Sequence, residues 1–160
     1  MRIRGRVLEQ DTTKTILLPI CGTEVDESAF SVAAWLAKAS KSSVRALHVI
    51  EVSRDKPLDA DLGEEADVGE QILEKIENLA KAEKCPIQAG IIQARSAGHA
   101  IVQEAQIRNV QTIVLGTSKI KGTAGDYFGR TVSHILRNSD CDVIIWRGGT
   151  YGQVSTERVE

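Results

Sequence analysis

Five short apolar runs alternate with four stretches of helical periodicity along this chain, and that alternation constrains the fold more than any single motif. The runs are residues 14–20 (KTILLPI), 43–52 (SVRALHVIEV), 86–94 (PIQAGIIQA), 111–116 (QTIVLG) and 142–146 (DVIIW). Short and rich in Val, Ile and Leu, they suit buried strands. After the first run, Ala29, Val32, Ala33, Leu36 and Ala37 recur at helical spacing and line one face, leaving Lys38 and Lys41 to water. Thr23 and Asp26 have the T-x-x-D spacing of a capping box at that helix's start. Val68, Ile72, Ile76 and Leu79 mark a long second helix, which stops before Pro86 because proline disfavours the helical state of Cys85. Ser96 is positioned to cap a third helix carrying Ala100, Ile101 and Ala105 inward. Phe128, Val132, Ile135 and Leu136 mark the fourth.

The order β-α-β-α-β-α-β-α-β predicts an α/β domain whose parallel sheet is covered on both faces, since each right-handed crossover lays its helix on the sheet. Ligands in such sheets bind beyond the carboxyl ends of the strands, where the strand order reverses. With 160 residues, one core needs no metal or disulfide staple. The domain is expected over residues 14–147, with an extension at 1–13 and a tail at 148–160. Ile3, Val7 and Leu8 give the extension an edge-strand option, and Arg2, Arg4 and Arg6 a solvated-tail option.

Twenty Lys and Arg stand against 22 Asp and Glu, and this net charge of -2 argues against a nucleic-acid binder. No apolar run reaches the roughly 18 residues of a membrane span, and no signal-peptide core precedes the first strand. The 3 cysteines, Cys21, Cys85 and Cys141, form neither a disulfide framework nor a zinc pattern. A cytoplasmic protein without membrane insertion is expected. Asp55, Asp59, Asp61, Glu64, Glu65 and Asp67 crowd one polar stretch. Nothing in the spacing gathers them around a metal, and a solvated loop leading into a helix start accounts for them.

Spacing tests remove several α/β chemistries. Residues 116–123 (GTSKIKGT) have the composition of a Walker loop but the wrong order, and no G-x-G-x-x-G follows the first strand. A cysteine-phosphatase loop needs arginine six residues after its cysteine, where Cys21 has Glu27. There is no C-x-x-C, and residues 19–21 lack the acidic cluster of a receiver domain. Cys21 sits between a strand end and a helix start, where a helix dipole lowers a thiol pKa. A nucleophile also needs a base, and the sequence places none of His48, His99 or His134 beside it. A buried inert thiol is the alternative, so no catalytic residue is assigned. What remains is the segment 114–136 (VLGTSKIKGTAGDYFGRTVSHIL). There a strand ends in glycine, a Gly/Thr/Lys loop follows, and Gly129, Arg130 and Thr131 open a helix whose free amides suit a phosphate. A surface loop with turn glycines is the competing account.

With these pieces in place, the chain resembles the universal stress protein family from about residue 13 to 147. The carrying stretches are KTILLPICGTEVDESAFSVAAWLAKAS, VRALHVIEV, TIVLGTSKIKG and GRTVSHILRNSDCDVIIWR. Leu36-Ala37-Lys38 and Leu47-His48-Val49 stand at the family's distances from the opening strand. The resemblance implies a sheet of order 3-2-1-4-5 and an adenine nucleotide, ATP or AMP, between the first and fourth strand ends. Carried over, the base and ribose contacts fall at Pro19, Cys21 and Val49, and the phosphate contacts at Leu115, Gly116, Lys119, Gly129, Arg130 and Thr131. Two departures stand out: Cys21 replaces the family's aspartate, and Lys119 replaces the second glycine of its G-x-x-G. The resemblance further implies an antiparallel homodimer through the last strand, with Val143, Ile145 and Trp146 at the interface. It supports a non-catalytic, nucleotide-dependent stress-response role. The alternative is a nucleotide-free interaction module, of the kind found fused to transporters as a cytoplasmic regulator.

Overall fold

The structure, a computed structural model, describes residues 14–118 and 128–149. Its elements are β1 (Thr15–Ile20), α1 (Val25–Ser40), β2 (Ser43–Glu51), α2 (Gly63–Ala82), β3 (Ile87–Ala94), α3 (Ala97–Ile107), β4 (Thr112–Thr117), α4 (Gly129–Asn138) and β5 (Asp142–Arg147). The strands form one parallel sheet of order β3-β2-β1-β4-β5, the α/β topology expected from the sequence. β1 therefore lies at the centre, beside β4, and the chain reverses its direction of travel across the sheet at that point.

Strand alternation sorts the apolar side chains into two cores. Ile16, Leu18, Ile20, Val44, Ala46 and Val114 pack under α1 and α2. Leu17, Leu47, Ile113 and Leu115 pack under α3 and α4. Both faces being covered, β1 reads as a continuous apolar run rather than an alternating one. The α1 face contains Ala29, Ala33 and Ala37 as the spacing predicts, and also the fully enclosed Phe30. Small alanines let α1 approach the sheet, and Phe30 fills the volume they leave.

Several expectations need correction. α2 begins at Gly63, inside the acidic stretch, so Val68 falls on its outer side and is exposed rather than inward. Phe128 and Leu136 are also exposed, and α4 buries only Val132 and Ile135. Val143, Ile144 and Ile145 are half-buried rather than buried, because β5 is an edge strand. Ser96 occupies the N-cap position of α3, but its side chain makes no capping bond. The Ala97 N–H is donated instead to the Glu51 carboxylate at 2.7 Å, so the end of β2 caps the helix that follows β3.

One ion pair enters the α3/α4 side of the sheet. Arg45 on β2 and Glu104 on α3 are both buried, with Nε and Nη2 of the arginine each 3.1 Å from Oε1. Arg108, one turn beyond Glu104, binds the same oxygen. Gly90 on β3 makes room for the guanidinium, since a Cβ there would stand 3.3 Å from Arg45 Nη2.

Candidate functional site

The cleft originates in β1. Parallel strands present the N–H and C=O of alternate residues to alternate neighbours. Thr15 faces β4, exchanging bonds with Gln111 through its N–H and its carbonyl. Leu17 and Pro19 share that orientation. The β1–β4 register runs through Leu17↔Ile113 and goes no further, whereas β1 stays paired with β2 to Ile20. Pro19 has no N–H to give the next rung. A proline in a central strand thus ends the ladder where the strand order reverses, and β1 and β4 part there.

Beyond Pro19 the chain turns into α1 around one carboxylate. Asp26, 5% exposed, accepts N–H bonds from Cys21 (3.1 Å), Gly22 (2.6 Å) and Thr23 (3.1 Å) at Oδ2, and the Thr23 hydroxyl bonds its Oδ1 at 3.4 Å. The T-x-x-D pair therefore works chiefly from the aspartate side, and Glu24 holds the N-cap position without a side-chain bond. Gly22, at φ 84°, supplies the left-handed turn this wrapping needs. Cys21 is exposed, not a buried thiol. Desolvation and then the Asp26 charge push its pKa up, outweighing the opposing contacts with Thr23. The Asp26 charge beside the thiol works against the lowering expected at a helix start. Cys21 is poorly suited to nucleophilic attack at neutral pH.

Val49 lies toward the end of β2, half-buried against the α3/α4 core, and strand alternation turns Pro19 to the same face. His48 points the other way and bonds the Ile20 carbonyl through Nδ1 at 2.9 Å, a satisfied strand histidine. On β4, Leu115 is buried in the α3/α4 core and can offer a ligand only backbone. Gly116 faces α1: an added Cβ would stand 3.0 Å from Ala29 Cβ and 3.2 Å from Val25 Cγ1. Its lack of a side chain thus serves helix packing as well as any close approach to a ligand. Gly129 opens α4 at φ 74° with open space around it, followed by exposed Arg130 and half-buried Thr131. Lys119 and the loop around it lie outside the described residues.

Glu51 was not singled out by spacing, and Asp26 was singled out only as half of a capping box. Their signal was faint: an acid at a strand end, and an acid at the second position of a helix. Among the described residues no group of three or more His, Cys, Asp or Glu is arranged to hold a metal. The 10-residue helix α4 differs from its neighbours at this end of the sheet. Among the described residues no acid stands in its first turn or accepts from its leading N–H groups, whereas α1 and α2 carry acids in their first turns and α3 has Glu51. At the sheet edge, Val143 and Ile145 turn toward the α3/α4 core. Trp146 turns to α1, where its indole N–H donates to the Ser28 hydroxyl at 3.0 Å.

Comparison with known proteins follows the same lines. The pattern of the family described as "Universal stress protein family" matches residues 12–147. Universal stress protein MJ0531 of Methanocaldococcus jannaschii is 25% identical over 138 residues, covering 82% of this chain and 81% of its own. A universal stress protein from Archaeoglobus fulgidus superposes with a TM-score of 0.70 at 17% identity, over 84% of this chain and 98% of its own. A universal stress protein solved in complex with cAMP gives 0.69 at 21%, over 85% and 98%. The Archaeoglobus fulgidus protein in complex with dAMP gives 0.67 at 15%, over 82% and 96%. At these identities the superpositions establish the fold.

Proposed function

Because this chain belongs to the universal stress protein family, we propose that its cleft beyond β1 and β4 holds an adenine nucleotide and that the domain acts as a non-catalytic, ligand-dependent regulator. The observation that carries this reading is the unequal treatment of the helix starts. Acids stand at the other three starts, Asp26 and Glu27 in the first turn of α1, Glu64 and Glu65 in that of α2, and Glu51 on the Ala97 N–H of α3, while among the described residues α4 has none and keeps its amides beside Arg130 and Thr131. An uncapped helix start with a cation beside it favours a phosphate group. The base would then rest near Pro19, Cys21 and Val49, where the missing β1–β4 rung leaves space. Relatives of the same fold solved with cAMP and dAMP support this ligand class.

Cys21 stands where the resemblance puts a carboxylate. Losing a hydrogen bond to a charged group costs about 1.5–3 kcal/mol, or roughly ten- to a hundredfold in affinity. Binding should therefore be weak, with ATP and AMP as candidate ligands. Calorimetric titration with ATP, ADP and AMP tests this, together with mass identification of nucleotide released by heat. Heat at millimolar ligand that Cys21→Asp strengthens supports the reading; no heat with any of the three ends it. The second reading, a nucleotide-free module, is favoured by Asp26 consuming the three N–H groups of the β1–α1 turn. Such a module would work through an antiparallel homodimer at β5, its half-buried edge pairing with a second copy. Sedimentation at tens of micromolar separates dimer from monomer.

A further inference from the structure

A groove of about 560 Å³ crosses the opposite end of the molecule, where the strands begin and where α1 and α2 finish. Trp35 and Lys38 of α1 form one wall, and Lys84, Cys85 and Pro86 form the other, with Ser43 at the floor. A second hollow of about 490 Å³ shares Lys84, Cys85 and Pro86 with it and adds Lys81. Trp35 is 71% exposed, the most exposed of the large apolar side chains among the described residues. Nothing in the two cores uses it, it lines a concave surface, and tryptophan is enriched among the residues that carry binding energy at interfaces.

The charge around the groove is one-sided. Lys38, Lys81 and Lys84 line the two hollows, Lys41 precedes the lining residue Ser42, and the Lys14 carbonyl accepts the Ser43 N–H. Among the described residues none of these five lysines is in an ion pair, although Lys56 and Lys75 elsewhere are. The opposing acids are Glu77 and Glu83, and Glu83 already accepts a bond from the Ser31 hydroxyl at 2.8 Å. Lysines at helix C-termini also offset the helix dipole, which accounts for their placement on each helix. It does not account for a tryptophan held open between them.

We propose that this groove docks an extended acidic segment of a partner protein, one carrying an aromatic or large aliphatic side chain between its carboxylates to lie against Trp35. Charge complementarity selects the acids, since among the described residues these lysines have no counter-ions. Shape selects a peptide over a lipid surface, because a concave trough can enclose a chain but cannot lie flat on a bilayer. The surface is remote from the strand ends where the nucleotide is placed, so this proposal stands independently of that reading.

The test uses the full chain and a fluorescein-labelled peptide of sequence EDEFEDE, followed by polarisation. Saturable binding is expected, weakened on the order of tenfold or more by Lys38→Glu/Lys84→Glu and by Trp35→Ala. Replacing the peptide's phenylalanine with serine should weaken it similarly, and raised salt should weaken it further. All three protein positions are exposed, so the variants should keep the wild-type melting curve, which circular dichroism verifies. No saturation up to about 1 mM peptide overturns the proposal. So does binding that the variants leave unchanged. Anionic phosphatidylserine vesicles that bind through the same lysines and displace the peptide would assign the surface to a membrane instead.

Discussion

Replacing Glu104 with leucine should be among the most damaging single changes to this domain, and for an electrostatic reason. Arg45 is buried and would lose the carboxylate that holds both its Nε and its Nη2, while Arg108 would remain as a like charge nearby. Burial already lowers the Arg45 pKa, Arg108 adds to that, and Glu104 works against both. Arginine does not give up its proton, so the guanidinium would stay charged and enclosed. Breaking a buried pair in this way costs about 3–5 kcal/mol, against a total stability of roughly 5–15 kcal/mol. With a urea slope near 2 kcal/mol/M, the unfolding midpoint should fall by about 1.5–2.5 M. The pair Arg45→Met/Glu104→Leu removes both charges at similar volume and should recover most of that loss. Urea unfolding of wild type, both single variants and the double variant completes a cycle that isolates the coupling. A Glu104→Leu shift below about 0.5 M would mean that water reaches the guanidinium. A double variant as unstable as Glu104→Leu would assign the loss to packing, and either result refutes the argument.

Gly116→Ala should cost about 1–3 kcal/mol, because the new methyl meets Ala29 and Val25 at 3.0 and 3.2 Å; Ala29→Gly should restore part of it in a thermal melt. Glu51→Ala removes the acceptor for the Ala97 N–H and should cost about 1 kcal/mol, with faster hydrogen exchange at Ala97 than in wild type. Cys21 alkylation by iodoacetamide should run slower than that of free cysteine at pH 8, since its raised pKa leaves less thiolate there; Asp26→Asn should speed it by removing the nearby charge. Gly129→Val should destabilise the start of α4 through its left-handed φ of 74°, not through crowding, and weaken nucleotide binding in titration by displacing the helix amides.

The order of elements and the sheet topology were legible in the sequence because period and length carry them. Apolar runs of five to ten residues are too short for helices of ordinary length, and the intervening i, i+3, i+4 spacing does not suit strands. The start of α2 was less legible, since acids in a first turn resemble a polar loop until Gly63 is known to be helical. At the site, Pro19 and Val49 turn to one face of the sheet, a placement that follows from the assembled strands, and the polar groups near them come from elsewhere in the chain. No local pattern announces that Glu51 caps a helix beginning at Ala97, 46 positions away. Asp26 was read as one half of a capping box, when its carboxylate in fact gathers three amides of the preceding turn. Gly116 entered the reading only as a strand-end glycine and a phosphate contact implied by the resemblance, and spacing gave no sign that its missing Cβ makes room for α1. Long-range hydrogen bonds and the direction of a side chain depend on the assembled layers, which spacing does not encode.

The central position of β1 bears on how the chain is made. Its β4-side edge is satisfied by residues such as Gln111, which lies 96 positions after its partner Thr15. At about 5–20 residues per second, roughly 5–20 s of translation separate the two. Throughout that interval a nascent β1-β2-β3 sheet exposes the unpaired edge of its most apolar strand to the crowded surroundings of the ribosome. Pro19 shortens that edge by one donor, and the following residues turn away into α1. The proline that parts β1 from β4 in the finished domain thus also blunts the edge on which a half-made chain would otherwise aggregate.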